Sequence, residues 1–210
     1  MDFTDIPIIS TNRSLVNRIQ TAIKNTDIKE TTTPLIQSLD EGLDYFNINL
    51  PNLFFLDISN SKVKPFKFLS EVKKDPWLMH GGMIVLASKY NDISKLDDFK
   101  GANFLISMTY NEIENQLPKV LTILKNNANI VVQRAIGEDF IGNISGSFTL
   151  NNDVTELNCY TNLICNFLYN TNKIGKDQKT KLTIIITELL LNAIEHGNCE
   201  ISYNEPKLLS

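Results

Sequence analysis

The chain lacks several features that mark common classes of protein. It has no cluster of lysine and arginine, and its net charge of -4 argues against a nucleic-acid surface. No apolar run approaches the length of a membrane span, and the amino terminus lacks the basic and apolar regions of a signal peptide. Cys159, Cys165 and Cys199 are odd in number and match no metal-binding or redox spacing. We therefore expect a cytoplasmic protein with reduced thiols, without contacts to nucleic acid or membrane.

The first part of the sequence alternates apolar runs with amphipathic stretches. Its 210 residues allow one or two domains, and 42% hydrophobic residues suffice for ordinary cores. The apolar runs are unbroken, which is typical of strands buried on both faces. The sequence predicts an α/β fold with a doubly wound, five-stranded parallel sheet. Predicted strands lie at 6–10, 27–31, 53–57, 83–87 and 103–106, and predicted helices at 15–23, 35–45, 65–72, 93–99 and 113–124.

Asp57 ends the third apolar run. In doubly wound sheets, ligands bind at the carboxyl ends of the strands. A lone aspartate at such an end is more often a helix cap or loop anchor than a functional carboxylate. The strand pattern alone leaves both interpretations open.

The order and spacing of these segments resemble the response-regulator receiver domain. The residues that carry the resemblance are Phe54-Phe55-Leu56-Asp57, Pro65, Val85-Leu86-Ala87-Ser88 and Lys100-Gly101-Ala102. It implies a flavodoxin-like domain over residues 1–127. It also implies that Asp57 is the phosphoacceptor and a Mg²⁺ ligand, and that Ser88 is the switch residue whose hydroxyl bonds the phosphoryl group. Phe104 would be the aromatic residue of the fifth strand.

Two positions depart from the receiver pattern. Receivers carry an acidic pair after the first strand to hold Mg²⁺, and here the residues are Ser10-Thr11-Asn12. Receivers also carry a lysine at the end of the fifth strand, where this chain has Ser107-Met108. Without a metal or that lysine, charge on a transferring phosphoryl group would be poorly neutralised. The departures favour a pseudo-receiver, and a working receiver is the alternative.

Beyond residue 127 the sequence predicts a linker or hairpin over 128–148, with a weak strand at 144–150, and then two helices over 149–210. Asp153 or Asn152 can cap the first helix and Asp177 the second. Gly197 stands where a left-handed helix end would want glycine. The stripe predicted to pack the second helix is Leu182, Ile185, Ile186, Leu189 and Ala193.

Glu188, Asn192 and His196 are four residues apart, so they line one face of the second helix. A carboxylate, an amide and an imidazole in one row could hold a metal-phosphate ligand. A solvated polar face is the other interpretation of the same spacing.

The motif that contains these residues, Glu-Leu-x-x-Asn-Ala-x-x-His-Gly, resembles the N box of the Bergerat-type (GHKL) ATP-binding fold. It most resembles the version found in the anti-sigma serine kinases. The resemblance implies that Glu188 is the general base, that Asn192 holds the Mg²⁺ bound to ATP, and that His196 lines the same site. Residues 149–210 would then be the opening segment of such an ATPase domain, of α+β type. Because its glycine-rich nucleotide boxes do not follow, we expect weak or no ATP binding by this chain.

Two functions from different classes fit these observations. The first is a two-component (phosphorelay) regulator, in which a degenerate receiver controls an anti-sigma-kinase-like output domain that is incomplete here. The second is a non-catalytic pseudo-receiver that acts as a protein-interaction module. Both imply protein partners, such as a sensor kinase or sigma and anti-sigma regulators, and both leave a homodimer open.

Overall fold

The computed structural model describes residues 3–28, 31–75, 78, 81–99, 102–127, 149–171 and 173–198. Its strands are β1 (Ile8–Ile9), β2 (Leu35–Ile36), β3 (Leu53–Asp57), β4 (Gly82–Ala87) and β5 (Phe104–Thr109). They form one all-parallel sheet in the order β2-β1-β3-β4-β5. The predicted doubly wound, flavodoxin-like sheet is confirmed.

Helices cover both faces of this sheet. They are α1 (Arg13–Lys24), α2 (Leu39–Asn49), α3 (Pro65–Lys74), α4 (Tyr90–Ile93), α5 (Ile113–Asn126), α6 (Val154–Asn170) and α7 (Lys176–Asn192). Short 3-10 turns occur at Ser61–Val63, Ser94–Phe99 and Tyr110–Glu112, and a π-helical turn, Ala193–Asn198, follows α7. The apolar stripes of α1 and α5 pack on one face, and those of α2 and α3 pack on the other. Every residue of β3 and β4 is buried between these layers, which explains their unbroken apolar sequences.

Strand β5 forms one edge of the sheet and carries an irregularity. Met83 pairs with Phe104 and Ile84 with Ile106, so Leu105 is an extra residue in the β4–β5 ladder. Helix α6 packs along this edge and on α5. The side-chain amide of Asn166 donates to the Leu105 carbonyl oxygen at 2.9 Å, and that of Asn170 donates to the Phe104 carbonyl oxygen at 3.1 Å. These amides satisfy edge carbonyl groups that α6 shields from water.

Helix α7 packs on α6 through one side only. The ammonium group of Lys179 lies 5.0 Å from the ring centroid of Tyr169 and 5.6 Å from that of Phe104, which ties α7 to α6 and β5. The opposite side of α7 carries Ile184, Ile185 and Leu189, which are 60%, 53% and 64% exposed. Among the helices of the described residues, none combines the length and apolarity that crossing a membrane takes.

Strand β2 and the helix after it differ from the prediction. The sequence predicts a strand at 27–31 and a helix at 35–45, whereas the strand is Leu35–Ile36 and the helix is Leu39–Asn49. The Ser38 hydroxyl caps α2 by accepting from the Glu41 N–H, which fixes the start of the helix. Leu35 has the same spacing from Leu39 as Leu39 has from Leu43, so the helical period extended falsely into the strand. The fourth helix and the fifth strand also shift, to 90–93 and 104–109.

The packing stripe predicted for the last helix is correct only in part. Leu182 and Ile186 are partly buried, as is Leu190, whereas Ile185, Leu189 and Ala193 are exposed. The helix has apolar residues on every side, so the sequence alone could not select the packed face. The prediction that Asp177 caps this helix is wrong, because Gly175 occupies the N-cap and Asp177 lies in the first turn.

Gly197 does not end the helix in a left-handed conformation, because the π-helical turn continues to Asn198. At α6, by contrast, Asp153 is the cap, accepting from the N–H groups of Thr155 and Glu156. The predicted linker at 128–148, most of the strand predicted at 144–150, and Lys100-Gly101 lie outside the described residues.

Replacing Asn166 by leucine tests the hydrogen bond between α6 and the edge strand β5. Asn166→Leu keeps a side chain of similar size and leaves the buried Leu105 carbonyl group without its donor. We expect the free energy of unfolding to fall by about 1–3 kcal/mol, measured by urea denaturation. Asn162→Leu, at an exposed position one turn earlier on α6, is the matched control and should change stability by less than about 0.5 kcal/mol. Equal effects of the two variants would contradict a stabilising role of the Asn166 hydrogen bond.

Candidate functional site

The candidate site lies at the carboxyl edge of the sheet and is centred on Asp57. Asp57 is the last residue of β3 and is 1% exposed. Ser10 follows β1, the neighbour of β3 in the sheet, and Tyr110 follows β5. Because parallel strands end at the same edge, residues far apart in the sequence meet around one carboxylate.

Hydrogen bonds from the chain occupy both oxygens of the Asp57 carboxylate. The Ser10 hydroxyl donates to Oδ2 at 2.7 Å, and the Tyr110 hydroxyl donates to Oδ1 at 2.6 Å. The backbone N–H of Ser59 also donates to Oδ1, at 3.2 Å. Three donors on a carboxylate this deeply buried compensate for the water that it has lost.

The loop after β1 holds Ser10 in place. Ser10 Oγ accepts from the backbone N–H of Asn12 at 3.0 Å, so its own proton is directed at Asp57. The amide of Asn60 donates to Thr11 Oγ1 at 2.8 Å and to Ser10 Oγ at 3.4 Å. The loops after β1 and β3 are thus linked by polar side chains at the position where the receiver resemblance would place an acidic pair.

A second carboxylate, Asp92, lies on α4 at the rim of the site. It accepts from the Ser59 hydroxyl at 2.9 Å and, more weakly, from the Ser88 hydroxyl at 3.4 Å. The ammonium group of Lys95, 2.8 Å away, and the Ser59 hydroxyl hold the pKa of Asp92 below its usual range. Ser88 also donates its backbone N–H to Ser59 Oγ at 2.9 Å. Ser88, the predicted switch residue, is therefore joined to Asp57 through Ser59.

Glu112 fixes the turn that carries Tyr110. Its Oε2 accepts from the backbone N–H of Thr109 at 2.6 Å, as in a capping box, and also from the Thr109 hydroxyl at 2.7 Å. Its Oε1 accepts from Gln116 at 3.1 Å and from the hydroxyl of Tyr90. Burial opposes ionisation of Glu112, but the bonds from Tyr90 and Thr109 outweigh it and lower the pKa of Glu112. The bond to Glu112 raises the pKa of Tyr90 to about 12.

Tyr110 is a neutral donor to the Asp57 carboxylate. Burial, and then its hydrogen bond to Asp57, raise the pKa of Tyr110 above its ordinary value. The phenol therefore stays protonated and keeps donating over the whole physiological range. Met108, in the Ser107-Met108 pair where the receiver resemblance would place the lysine, is fully buried in the core.

The residues around Asp57 do not fit Mg²⁺. This ion prefers several oxygen ligands in octahedral geometry, usually with carboxylates among them. Here both oxygens of Asp57 already accept hydrogen bonds from the hydroxyl groups of Ser10 and Tyr110, and the carboxylate of Asp92, at the rim of the site, is paired with Lys95. Nowhere in the described part of the chain do three or more histidine, cysteine, aspartate or glutamate side chains form a group that could hold a metal ion.

The residues predicted for an ATP site lie on the other part of the chain. Glu188 and Asn192 are exposed on α7, and His196 is half-buried in the π-helical turn. The structure keeps Glu188 and Asn192 in one row, as predicted, and this row shares no element with the residues around Asp57.

Sequence reasoning missed Tyr110, Ser59 and Asp92. The available signal was position: Tyr110 is the first residue after β5, and Ser59 is two residues beyond Asp57. A search of every strand end for hydroxyl donors, besides acids and lysines, could have found Tyr110 and Ser59, whereas Asp92 lies on a helix and carries no such signal.

Comparisons with known proteins give only distant likenesses. No protein-family model matches the chain, and no curated protein matches it. Among solved structures, the bacteriophytochrome response regulator AtBRR is 17% identical with a TM-score of 0.43, covering 68% of this chain and 97% of its own. The Salmonella typhimurium response regulator RcsB is 12% identical with a TM-score of 0.46, covering 95% of this chain and 100% of its own. At this distance neither carries an argument about function.

Replacing Tyr110 by phenylalanine tests the bond to Asp57. Tyr110→Phe removes one hydroxyl from a charged acceptor, so we expect the free energy of unfolding at neutral pH to fall by about 1.5 kcal/mol. The folded-state pKa of Tyr110 is raised, so this contribution is complete below the ordinary tyrosine pKa of 10.0 and is lost as the pH rises above it. The difference between wild type and variant should therefore stay constant to about pH 9 and shrink beyond it.

The measurement is chemical denaturation across that pH range. A double-mutant cycle with Asp57→Asn then isolates the coupling between the two side chains. Additive effects of the two substitutions would contradict a direct bond.

Proposed function

We propose that this chain is a receiver-fold signalling module of the two-component type, which acts by binding protein partners and in which Asp57 is a fixed structural carboxylate. The observation that carries the proposal is the occupation of both Asp57 oxygens by hydroxyl groups of the same chain, at 1% exposure. The strand order is receiver-like, and the closed hydrogen bonding of Asp57 supports a role other than phosphoryl transfer.

Phosphorylation of Asp57 would require one carboxylate oxygen to leave its hydrogen bonds and reach a phosphorus atom. Attack through Oδ1 breaks the bonds from Tyr110 and Ser59, and attack through Oδ2 breaks the bond from Ser10. The incoming group would then meet neutral hydroxyls where phosphoryl transfer needs a metal ion or a cation. Both effects raise the barrier and favour the pseudo-receiver over a working phosphoacceptor.

The surroundings of Ser88 support the same conclusion. In the receiver resemblance this hydroxyl reports on the phosphoryl group, but here its hydrogen bond goes to Asp92. Ser59 lies between Ser88 and Asp57 and bonds to both sides. The loops after β3 and β4 are therefore tied to each other without a ligand, which suits a surface of fixed shape for a partner. A sensor kinase or a sigma-factor regulator is the class of partner that the resemblances suggest.

An anti-sigma-kinase-like ATPase segment at 149–210 is suggested only by the sequence resemblance around Glu188, Asn192 and His196. Both Glu188 and Asn192 are exposed on α7. Tight nucleotide binding needs a concave site that buries most of the ligand. We therefore assign α6 and α7 in this chain a packing and contact role, and no ATP-dependent reaction.

Treatment with a small phosphodonor tests the role of Asp57. The full chain is incubated with acetyl phosphate and Mg²⁺ and weighed by intact-mass spectrometry. We expect no phosphate adduct, because both carboxylate oxygens are occupied and, in the part of the chain that the structure describes, no cationic side chain pairs with Asp57. A working receiver treated in parallel shows that the donor is active, and Asp57→Asn serves as the site control. An adduct on the wild type that disappears in Asp57→Asn would overturn the proposal.

Titration with nucleotide tests the ATPase segment. We expect isothermal titration of the full chain with ATP and Mg²⁺ to give no binding tighter than about 1 mM, since Glu188 and Asn192 face solvent. Micromolar binding that Asn192→Ala abolishes would show that the N-box residues hold nucleotide after all, and would contradict the contact role of α7.

A further inference from the structure

The outward side of α7 carries an apolar patch that the Asp57 site does not use. We call it the α7 face and define it by Lys181, Ile184, Ile185, Glu188 and Leu189. The three apolar side chains are more than half exposed. On the other side of the helix, Lys179 lies over the rings of Tyr169 and Phe104, so α7 is already docked by its inner side. The α7 face is therefore presented on a supported helix.

Charged residues of opposite sign flank the apolar centre of this face. Lys181 lies one turn before Ile184 and Ile185, and Glu188 lies one turn after them. Residues three and four apart share one side of a helix, so the order along the face is positive, apolar, negative. Lys181 and Glu188 are both exposed.

This order is complementary to itself when reversed. If two copies of the helix pack antiparallel, centred on Ile184 and Ile185, then Lys181 of each copy meets Glu188 of the other, and the isoleucines meet in the middle. A parallel pair would set lysine against lysine and glutamate against glutamate. An isologous two-fold contact is the arrangement in which one patch serves both partners.

We infer that the α7 face binds the α7 face of a second copy of this chain, with the two helices antiparallel. Burial of the three apolar side chains drives the contact, and the two symmetric ion pairs fix its direction. One helix face is small, so the complex belongs among the weak interfaces that bury less than about 1,200 Å². The dimer rests on the contact role proposed for α7 and gives it a definite partner. No residue around Asp57 takes part, so the dimer test and the phosphodonor test on Asp57 can fail independently.

Sedimentation of the full chain tests this dimer. Equilibrium runs on the wild type over about 10 µM to 1 mM should show a reversible monomer–dimer equilibrium. Ile185→Asp puts a carboxylate into the centre of the contact between the two α7 faces and should abolish the dimer. Ile48→Asp, at an 80% exposed isoleucine on α2, is the matched control and should leave it unchanged. Circular dichroism and thermal melting of each variant check that the chain remains folded.

Charge reversal tests the direction of packing. Lys181→Glu and Glu188→Lys each turn two attractive contacts into two repulsive ones, so each should weaken the dimer about tenfold. The double reversal, Lys181→Glu with Glu188→Lys, restores opposite charges across the contact and should return the dissociation constant to within about threefold of the wild type.

Each of three results would overturn the inference. A wild type that stays monomeric at the highest concentration would mean that the face serves another segment or another protein. A dimer that is insensitive to Ile185→Asp, or equally sensitive to Ile48→Asp, would lie on another surface. A double reversal as weak as the single ones would rule out the antiparallel arrangement.

Discussion

Burial of the Asp57 carboxylate constrains the whole carboxyl edge of the sheet. A carboxylate with 1% exposure has lost its water and must find donors within the protein. The donors come from the loops after β1, β3 and β5, through Ser10, Ser59 and Tyr110. Each of these loops is in turn fixed by further bonds, such as the capping box that Glu112 forms with Thr109. The edge is therefore built as one hydrogen-bonded unit around a single charge.

The features that depend on the pattern of apolar residues within one segment, or on residues close in sequence, could be predicted from the sequence. The runs at 53–57 and 83–87 read as buried strands because every side chain in them is apolar or at a strand end, and Asp57 could be placed at the carboxyl edge for the same reason. Pro65 at the first turn of α3 and Asp153 at the cap of α6 follow from backbone chemistry that acts within a few residues.

The features that depend on contacts across the sheet could not be predicted in this way. Tyr110 reaches Asp57 over 53 positions of sequence, and no periodic pattern encodes that pairing. The packed side of α7 could be predicted only in part, because apolar residues surround the helix and the position of α6 determines which of them are covered. Leu35 joined a helical pattern by coincidence of spacing, whereas its partner in the fold is Ile8 of β1.

The two edges of the sheet limit how copies of this chain can meet. At one edge α6 covers β5, and the side-chain amides of Asn166 and Asn170 donate to its carbonyl groups, while at the other edge β2 is only two residues long. Unpaired strands are the templates on which proteins recruit extended peptides or grow into fibrils. A covered edge and a short edge strand limit such templates in the described part of the chain. Association through exposed side chains on helices, such as those of α7, can be reversible and selective instead.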